Sequence, residues 1–236
     1  MKNVKVLGLL PVRSGSKGLP GKNIRPLLGK PLLTWSASAL SESLRVTRKI
    51  CCSDSEQMLA LARDAGLSTP WIRPAELAGD ESMIVDVLLH AIDRASKYFE
   101  ETYDYAVIVQ ATSPTVTPNI IDGAIEFAVS SHADTVITGY EANSNHPSLM
   151  YQCKSNGEVQ WLSSSQSYEA RRQDFERVFV RTGVVYVVRV SSLLRNSSLY
   201  GEKVLSFPIA QEKAIAIDTE YDFRLAELII KLDRRI

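Results

Sequence analysis

The feature that most constrains this chain is a glycine-rich, cationic loop directly after its first apolar run. Residues 4–10 are mostly apolar and predict a buried strand, and residues 11–23 then contain three glycines together with Arg13, Lys17 and Lys22. Glycine lets the backbone tighten until its N–H groups converge on an anion, and the cations add positive charge around that concavity. The loop therefore predicts a polyphosphate site, for which a nucleoside triphosphate is the natural ligand.

This loop matches neither of two common phosphate-binding motifs. No Gly-Lys-Ser/Thr follows a GxxxxG frame, as a Walker A loop requires, and the loop is not GxGxxG either. A polar turn between a strand and a helix is the alternative interpretation. We favour the phosphate site because the cations are concentrated immediately after the first strand of an α/β chain.

Length and charge limit the class of protein. The 236 residues are enough for one substantial core, so we expect a single α/β domain. Acidic and basic residues balance at 27 each, which argues against binding to nucleic acid or to a membrane surface and favours a small-molecule substrate. No apolar run approaches the roughly 20 residues of a membrane span, and the first residues lead into a strand rather than a signal peptide. We expect a cytoplasmic protein.

The cysteines and histidines give no metal motif. Cys51, Cys52 and Cys153 lack CxxC spacing, and adjacent cysteines on a strand point to opposite faces. We predict that all three are buried as small apolar residues. The three histidines are scattered along the chain, which argues against a zinc site.

Hydrophobic periodicity predicts alternating strands and helices, and hence a mostly parallel sheet covered by helices on both faces. Gln110 follows a continuous apolar strand, at the edge where open α/β sheets bind their ligands. Ser82 is a candidate cap of the helix that follows it. The predicted strands are 49–53, 71–73, 105–109, 135–139, 184–190 and 214–217, with 204–209 an edge or irregular segment; the predicted helices are 31–43, 56–65, one after Ser82, 118–129, the short turn 191–194 and one after Asp218.

The pattern changes after Tyr140. Asn156-Gly157 predicts a hairpin turn between residues 149–153 and 158–162, and a polar stretch with few aliphatic residues follows. We interpret residues 141–182 as an arm inserted in a single domain, 1–236. The arm lacks enough apolar residues for its own core, so we expect it to contact a second subunit; packing on the main sheet and a surface loop remain alternatives.

Four blocks of this sequence together resemble the acylneuraminate cytidylyltransferases, the family of CMP-sialic acid synthetases and their legionaminate and pseudaminate relatives. The resemblance covers most of the chain, in the family's order. The blocks are residues 11–20 with Lys22-Asn23, residues 73–78, Gln110 with residues 112–114, and residues 217–220 with Asp222.

The resemblance implies a Rossmann-like nucleotidyltransferase fold, a three-layer sandwich with a small dimerisation arm. It implies a homodimer that uses Mg²⁺ and converts CTP and an acidic nine-carbon sugar into a CMP-sugar and pyrophosphate. Arg13 and Lys22 resemble the family's triphosphate contacts and are the predicted catalytic cations, with solvated loop charges as the alternative. The other predicted nucleotide-binding residues are Pro11, Ser14, Gly15, Lys17, Asn23, Arg73 and Ser82.

For the sugar, the resemblance implies Gln110 and the arm arginine Arg172; Arg181 is a second candidate found in this chain only. These arginines lie among acidic residues, so a solvated charged face is the alternative. Asp218 is the implied metal ligand and third catalytic residue, although an Asp between a strand and a helix is by itself more often an N-cap.

Two departures from the family pattern concern the metal and the sugar. Relatives commonly have Asp-Ile-Asp where this chain has Ala216-Ile217-Asp218, so one acidic residue is absent. Relatives also have a lysine after the His-Pro pair, whereas His146-Pro147 is followed here by Ser-Leu-Met.

Two alternative functions therefore stay open. One is a transferase for another acidic sugar, such as the eight-carbon Kdo class, or for another nucleotide. A nucleotide-binding paralogue with impaired catalysis is the other.

Overall fold

A computed structural model describes residues 4–15, 18–162, 171 and 175–233. The strands are β1 Val6–Pro11, β2 Pro26–Leu27, β3 Lys30–Pro31, β4 Arg48–Cys52, β5 Tyr105–Val109, β6 Thr135–Glu141, β7 Tyr151–Cys153, β8 Val159–Trp161, β9 Phe179–Arg189 and β10 Val204–Pro208. The α-helices are α1 Leu32–Glu42, α2 Glu56–Asp64, α3 Ile84–Phe99, α4 Pro118–Ser131, α5 Val190–Asn196 and α6 Glu220–Asp233.

Within the described residues, the central sheet has six strands in the order β10-β6-β9-β5-β1-β4. Strand β9 is antiparallel to both of its neighbours, and the other pairs are parallel. Leu9 lies between Ile50 of β4 and Ile108 of β5, so the carboxyl ends of these three strands meet at one edge. The mostly parallel sheet predicted from the sequence is confirmed.

Helices cover both faces of this sheet. Successive residues of β1 point to opposite faces, so Leu10 packs in the cluster under α1, α2 and α4, whereas Leu9 packs in the cluster under α3 and α5. Helix α6 forms a third cluster with Leu27, Leu32 and Ile217. The result is a three-layer sandwich, as predicted. In the described part of the chain no helix is long and apolar enough to cross a membrane.

Two predicted strands are absent. Residues 71–73 form no ladder in the sheet: the Trp71 ring lies edge-on to Tyr98, and Arg73 turns under the loop after β1. Residues 214–217 are also irregular; the Ile217 N–H donates to the carbonyl of Thr112 at 2.9 Å, outside any strand. Trp71, Ile215 and Ile217 are buried in both segments, but burial alone does not supply a neighbouring strand.

Two local predictions are wrong. Ser82 does not cap α3, which begins at Ile84 after Met83; the Ser82 hydroxyl donates instead to the carbonyl of Glu76 at 3.0 Å. Cys153 is exposed on the arm, whereas Cys51 and Cys52 are buried as expected. Burial raises the pKa of Cys52 to about 12, so that thiol is held in its neutral form.

The predicted hairpin in the arm is confirmed. Gly157 takes a positive φ of 86°, which suits a glycine at the turn between β7 and β8. Residues 179–182, which we assigned to the arm, belong instead to β9 of the central sheet, because they continue to pair with β6 as far as Glu141.

His146 connects the two ends of the arm by contacting residues 175 and 176. Its ring stacks on Phe175 with 4.6 Å between ring centroids, and Nε2 lies 3.0 Å from the carbonyl of Glu176. Because Nδ1 accepts the Ser148 N–H at 3.1 Å, the proton of the neutral ring belongs on Nε2. The histidine of the His-Pro pair therefore has a structural task in this chain.

Candidate active site

A cleft of about 680 Å³ opens at the carboxyl edge of β1 and β5. It brings together residues that are far apart in the sequence. The predicted site residues that line it are Pro11, Arg13, Gly15, Lys22, Asn23, Arg73, Ser82, Gln110, Arg181 and Asp218. Ser14 lies beside these residues in the loop, whereas Lys17 and Arg172 fall outside the described residues.

The loop after β1 is held at both ends by side chains. Asp54, in the turn after β4, accepts hydrogen bonds from the Ser14 N–H at 3.0 Å and from the Ser14 hydroxyl at 2.5 Å. The Asn23 amide group donates to the carbonyl of Arg13 at 3.1 Å. Residues 13 and 14 are thus fixed at the start of the loop, which lowers the entropy cost of binding a ligand beside them.

Sequence reasoning missed Asp54, which lies between the predicted strand 49–53 and the predicted helix 56–65. Partial burial disfavours its charged form, but the hydrogen bonds from Ser14 and the charge of Arg73 outweigh this effect and lower the pKa of Asp54. The carboxylate organises the loop and the arginine together. Its position after a strand of the same sheet was the available clue.

Arg73 lies beneath the loop and is only 5% exposed. One guanidinium nitrogen donates to the carbonyl of Val12 at 3.0 Å and lies 3.3 Å from the Asp54 carboxylate. Among the described residues its Nε has no hydrogen-bond partner. Buried polar groups rarely stay unpaired, so this unpaired N–H is an exception beside the cleft.

Arg13 reaches across the mouth of the cleft. Its guanidinium donates to the carbonyl of Gly79 at 3.1 Å and pairs with the Asp80 carboxylate at 2.9 Å. The segment 78–82 is therefore tied to the loop after β1 by a partly exposed ion pair. A triphosphate that uses Arg13 has to compete with Asp80 for the guanidinium.

Lys22 and Asp218 form a charge pair at the cleft in which the lysine is buried and the carboxylate is exposed. Lys22 is 8% exposed, and its Nζ lies 2.6 Å from both the Asp218 carboxylate and the Ile217 carbonyl. The Asp218 side chain is 75% exposed. The ammonium is thus fixed by two oxygen acceptors, while the carboxylate still faces the cleft.

Asp222, the last residue of the fourth block, stabilises the turn that presents Asp218. Its Oδ2 accepts the backbone N–H groups of Asp218 and Thr219 and the Thr219 hydroxyl, at 3.1, 2.8 and 2.7 Å. Burial works against its charge, but these hydrogen bonds prevail and lower the pKa of Asp222. This carboxylate oxygen therefore accepts three hydrogen bonds within the turn.

The described residues of the cleft offer few ligands for a magnesium ion. Among the described residues no three His, Cys, Asp or Glu side chains converge on a point. Asp218 offers one exposed carboxylate at the cleft. Mg²⁺ commonly binds through one or two carboxylates plus substrate phosphates and water, so Asp218 fits an ion that arrives with a triphosphate.

The opposite end of the cleft is formed by Gln110, Arg181 and two tyrosines that sequence reasoning missed. The Arg181 guanidinium donates a short hydrogen bond to the Tyr200 hydroxyl, and Tyr186 lines the cleft nearby. Burial raises the pKa of Tyr186. An arginine, two phenols and an amide together suit a polar ligand with an anionic group.

Gly183 lies directly against the Gln110 amide. A Cβ added at this glycine would come within 2.3 Å of Oε1 and 2.7 Å of Nε2 of Gln110. Only glycine leaves room for the amide in this place, and the Thr-Gly pair after Arg181 was the sequence clue. The orientation of Gln110 therefore depends on β9.

A family model described as cytidylyltransferase matches residues 7–217. The chain belongs to the cytidylyltransferase family. The resemblance drawn from the four blocks is thereby confirmed at the level of the family, whose members transfer a cytidylyl group from CTP.

Relatives named for acidic sugars match nearly the whole chain. A CMP-N,N'-diacetyllegionaminic acid synthase of Legionella pneumophila is 29% identical over 98% of both chains. A pseudaminic acid cytidylyltransferase of Campylobacter jejuni is 24% identical, also over 98% of both. An N-acylneuraminate cytidylyltransferase of Streptococcus agalactiae is 30% identical over 93% of this chain, which spans 52% of that longer protein.

Two solved structures share the fold at low sequence identity. A CMP:2-keto-3-deoxy-manno-octonic acid synthetase complexed with CTP matches 98% of this chain and 100% of its own, with a TM-score of 0.69 and 16% identity. A 4-diphosphocytidyl-2C-methyl-D-erythritol synthase from Anaerococcus prevotii matches with a TM-score of 0.65 and 10% identity. The predicted nucleotidyltransferase-like fold is confirmed.

Proposed function

We propose that this cytidylyltransferase acts on CTP and a nine-carbon acidic sugar of the sialic, legionaminic or pseudaminic acid class. The products are the CMP-sugar and pyrophosphate. One observation carries the proposal: a single cleft holds the cationic loop at one end and Gln110 with Arg181 at the other. A triphosphate and a carboxylate sugar can therefore meet in one site.

The reaction is an in-line displacement at phosphorus. The anomeric hydroxyl oxygen forms a bond to the α-phosphorus of CTP, and its proton passes to solvent. The bond from that phosphorus to the bridging oxygen breaks, and pyrophosphate leaves with the electron pair. Arg13 and Lys22 are the cations that neutralise the charge growing on the leaving group. Lys22 is already fixed by two oxygen acceptors, so its position needs little reorganisation.

Asp218 is the residue we propose to hold Mg²⁺, together with phosphate oxygens of CTP. When bound, the ion supplies further neutralisation of phosphate charge. Oδ1 of Asp218 contacts Lys22, so Oδ2 is the oxygen that would be available to hold the ion. The absence of an acid at Ala216 leaves this single carboxylate as the protein's contribution.

At the sugar end, we propose that Arg181 binds the carboxylate and that Gln110 hydrogen-bonds the acyl-amino group. A guanidinium pairs with a carboxylate through two parallel N–H groups, which fixes the sugar's orientation as well as its charge. This assignment supplies the cation that relatives place after the His-Pro pair. Arg172 remains a further candidate outside the described residues.

We also propose a homodimer in which the β7–β8 hairpin meets a second copy. Tyr151 and Trp161 pack edge-on with 5.6 Å between ring centroids, yet remain 54% and 41% exposed. Large exposed aromatic side chains are enriched at protein interfaces. A cytoplasmic location stays a prediction of the sequence.

The test is pyrophosphate release with each of the four nucleoside triphosphates, with and without Mg²⁺. The acceptors are N-acetylneuraminate, N,N'-diacetyllegionaminate, pseudaminate and Kdo. We expect release only with CTP, a nine-carbon sugar and Mg²⁺. Release with Kdo alone would support the eight-carbon alternative. Tight CTP binding without release for any acceptor would contradict catalysis and identify a nucleotide-binding paralogue.

A further inference from the structure

Strands β6 and β9 change register beside the sugar end of the cleft. Ile137 pairs with Tyr186, and Gly139 pairs with Arg181. Between these two pairs, β6 has only Thr138, whereas β9 has residues 182–185. The extra residues form a bulge, a feature that redirects side chains at the edge of a sheet.

The hydroxyl of Thr138 closes this bulge. It accepts the Val185 N–H at 3.1 Å and lies 3.0 Å from the Val185 carbonyl oxygen. It also lies 2.8 Å from the Thr182 hydroxyl, which donates to the Thr138 carbonyl at 3.1 Å. Thr138 is fully buried and Thr182 nearly so. One side-chain hydroxyl thus replaces the main-chain partner that Val185 loses at the bulge.

This bulge sets the position of two groups in the cleft. Arg181 is its first paired residue, and the guanidinium extends from there to the Tyr200 hydroxyl. Gly183 lies within it and contacts the Gln110 amide. A change in the bulge would therefore move Arg181 and Gln110 together.

A second threonine of β6 holds the segment that carries Tyr200. The buried Thr135 hydroxyl donates to the carbonyl of Leu199 at 2.6 Å and accepts the Gly201 N–H at 3.2 Å. Tyr200 lies between these two anchored residues. The backbone segments that carry Arg181 and Tyr200 are therefore both hydrogen-bonded to β6, the first through the Thr138 hydroxyl and the second through the Thr135 hydroxyl.

We propose that Thr138 and Thr135 are positioning residues for the acidic sugar, the first acting on Arg181 and Gln110 and the second on Tyr200. This inference rests on the proposed function. Its physical basis is that an exposed arginine loses much conformational freedom when it grips a carboxylate. When the backbone of Arg181 and the side chain of Tyr200 are already held in place, less conformational freedom is lost on binding.

The test compares isosteric and conservative variants of Thr138. Thr138→Val keeps the shape but removes the hydroxyl, and Thr138→Ser keeps the hydroxyl. Pyrophosphate release is measured with CTP and with N-acetylneuraminate, N,N'-diacetyllegionaminate or pseudaminate, whichever the unmodified enzyme turns over. We expect Thr138→Val to raise KM for the sugar about tenfold, the scale of one lost charge-assisted hydrogen bond, with KM for CTP unchanged within about twofold. Thr138→Ser should restore the original KM.

A second experiment distinguishes an effect on the position of Arg181 from a general loss of stability. In an Arg181→Ala background, Thr138→Val should have a clearly smaller effect on KM for the sugar, because one of its two targets is gone and only Gln110 remains. Ser43→Ala is the matched control: this buried hydroxyl contacts Asp122 between α1 and α4, far from the cleft. It should lower the thermal unfolding midpoint without changing either KM.

Several outcomes would overturn the inference. An unchanged KM for the sugar in Thr138→Val, an equal rise in KM for CTP, or an undiminished effect in the Arg181→Ala background would each refute it. If Thr138→Val does not fold, Thr135→Val and Thr135→Ser undergo the same comparison with the same criteria. An unmodified enzyme that turns over none of these three sugars would refute the proposed function and this inference with it, whereas an active enzyme with a failed comparison refutes the inference alone.

Discussion

At the scale of single residues, charge in the cleft is controlled by partners that the sequence does not reveal. Lys22 is buried and held by two oxygens, Arg13 is paired with Asp80, and Asp54 fixes both Ser14 and Arg73. Each cation is thus oriented before a ligand arrives. Orientation of fixed charges is the main way in which a protein stabilises charge that develops in a reaction.

Removing the Lys22 ammonium should abolish most of the activity. Lys22→Met keeps the length of the side chain but leaves the triphosphate without its buried cation, so we expect kcat/KM to fall by about a hundredfold or more. Steady-state pyrophosphate release measures this. Lys97→Met is the control, because Lys97 is exposed on α3 and pairs only with Asp93 at 2.8 Å among the described residues. Equal losses in both variants would contradict a specific role for Lys22.

The lowered pKa of Asp54 predicts that this residue makes a pH-dependent contribution to the stability of the protein. Its pKa is lowered in the folded state, against the effect of burial, by the hydrogen bonds from Ser14 and the charge of Arg73. A lowered carboxyl pKa stabilises the protein above the unfolded-state value near 3.9, and this stabilisation is lost as the pH falls through the folded-state value.

Urea unfolding of the unmodified protein and of Asp54→Asn measures this contribution. The difference in free energy of unfolding should be largest near neutral pH, at about 1–2 kcal/mol for a half-buried hydrogen-bonded carboxylate, and should shrink as the pH is lowered towards about 3. Asp93→Asn on the exposed face of α3 is the control. A difference that grows on acidification would show that the sign is wrong.

At the scale of elements, the described contacts between the segment 78–82 and the loop after β1 lie at the mouth of the cleft. Arg13 donates to the Gly79 carbonyl and pairs with Asp80. These contacts are local and partly exposed, so they can open without disturbing the sheet. The segment is therefore the part of the described cleft that most readily adjusts to a nucleotide.

Asp80→Asn should strengthen CTP binding. The substitution removes the anion that competes with the triphosphate for Arg13, and an exposed ion pair is worth at most about 1 kcal/mol, so we expect the dissociation constant to fall by about two- to fivefold. Isothermal titration with CTP measures it, and Asp93→Asn is again the control. Weaker binding would mean that Asp80 holds Arg13 in the productive orientation rather than competing for it.

At the scale of the whole molecule, the sandwich leaves the β7–β8 hairpin outside both of its faces. Every residue of these two strands is exposed. A two-stranded hairpin has little stability on its own in water, so packing against another surface would stabilise it. A second copy of the chain is the partner that we propose.

Charged substitutions on this hairpin should separate the dimer. Tyr151→Lys combined with Trp161→Lys places cations where we expect an apolar interface, and sedimentation equilibrium should then give the monomer mass. Leu44→Lys is the control, since Leu44 is 89% exposed after α1 and belongs to no proposed interface. A mass that is the same before and after the hairpin substitutions would contradict this interface.

The elements whose signals are local were predicted well. Helix α4 begins at Pro118 because the Thr117 hydroxyl accepts the Ile120 N–H and proline suits the first helical turn. The hairpin follows from Asn156-Gly157 in the same way. Such elements depend on neighbours within a few residues, which a single sequence displays.

The amino-acid sequence alone was sufficient to predict the family blocks, the cationic loop, the alternation of strands and helices, and ten of the residues that line the cleft. Only the tertiary structure decided that residues 71–73 and 214–217 are not strands, that Asp54 organises the loop, and that Arg181 meets Tyr200. The reason is physical. Whether a buried apolar segment joins a sheet, and which partner a polar group finds, depends on groups brought together from distant parts of the chain, and no local pattern in the sequence records that proximity.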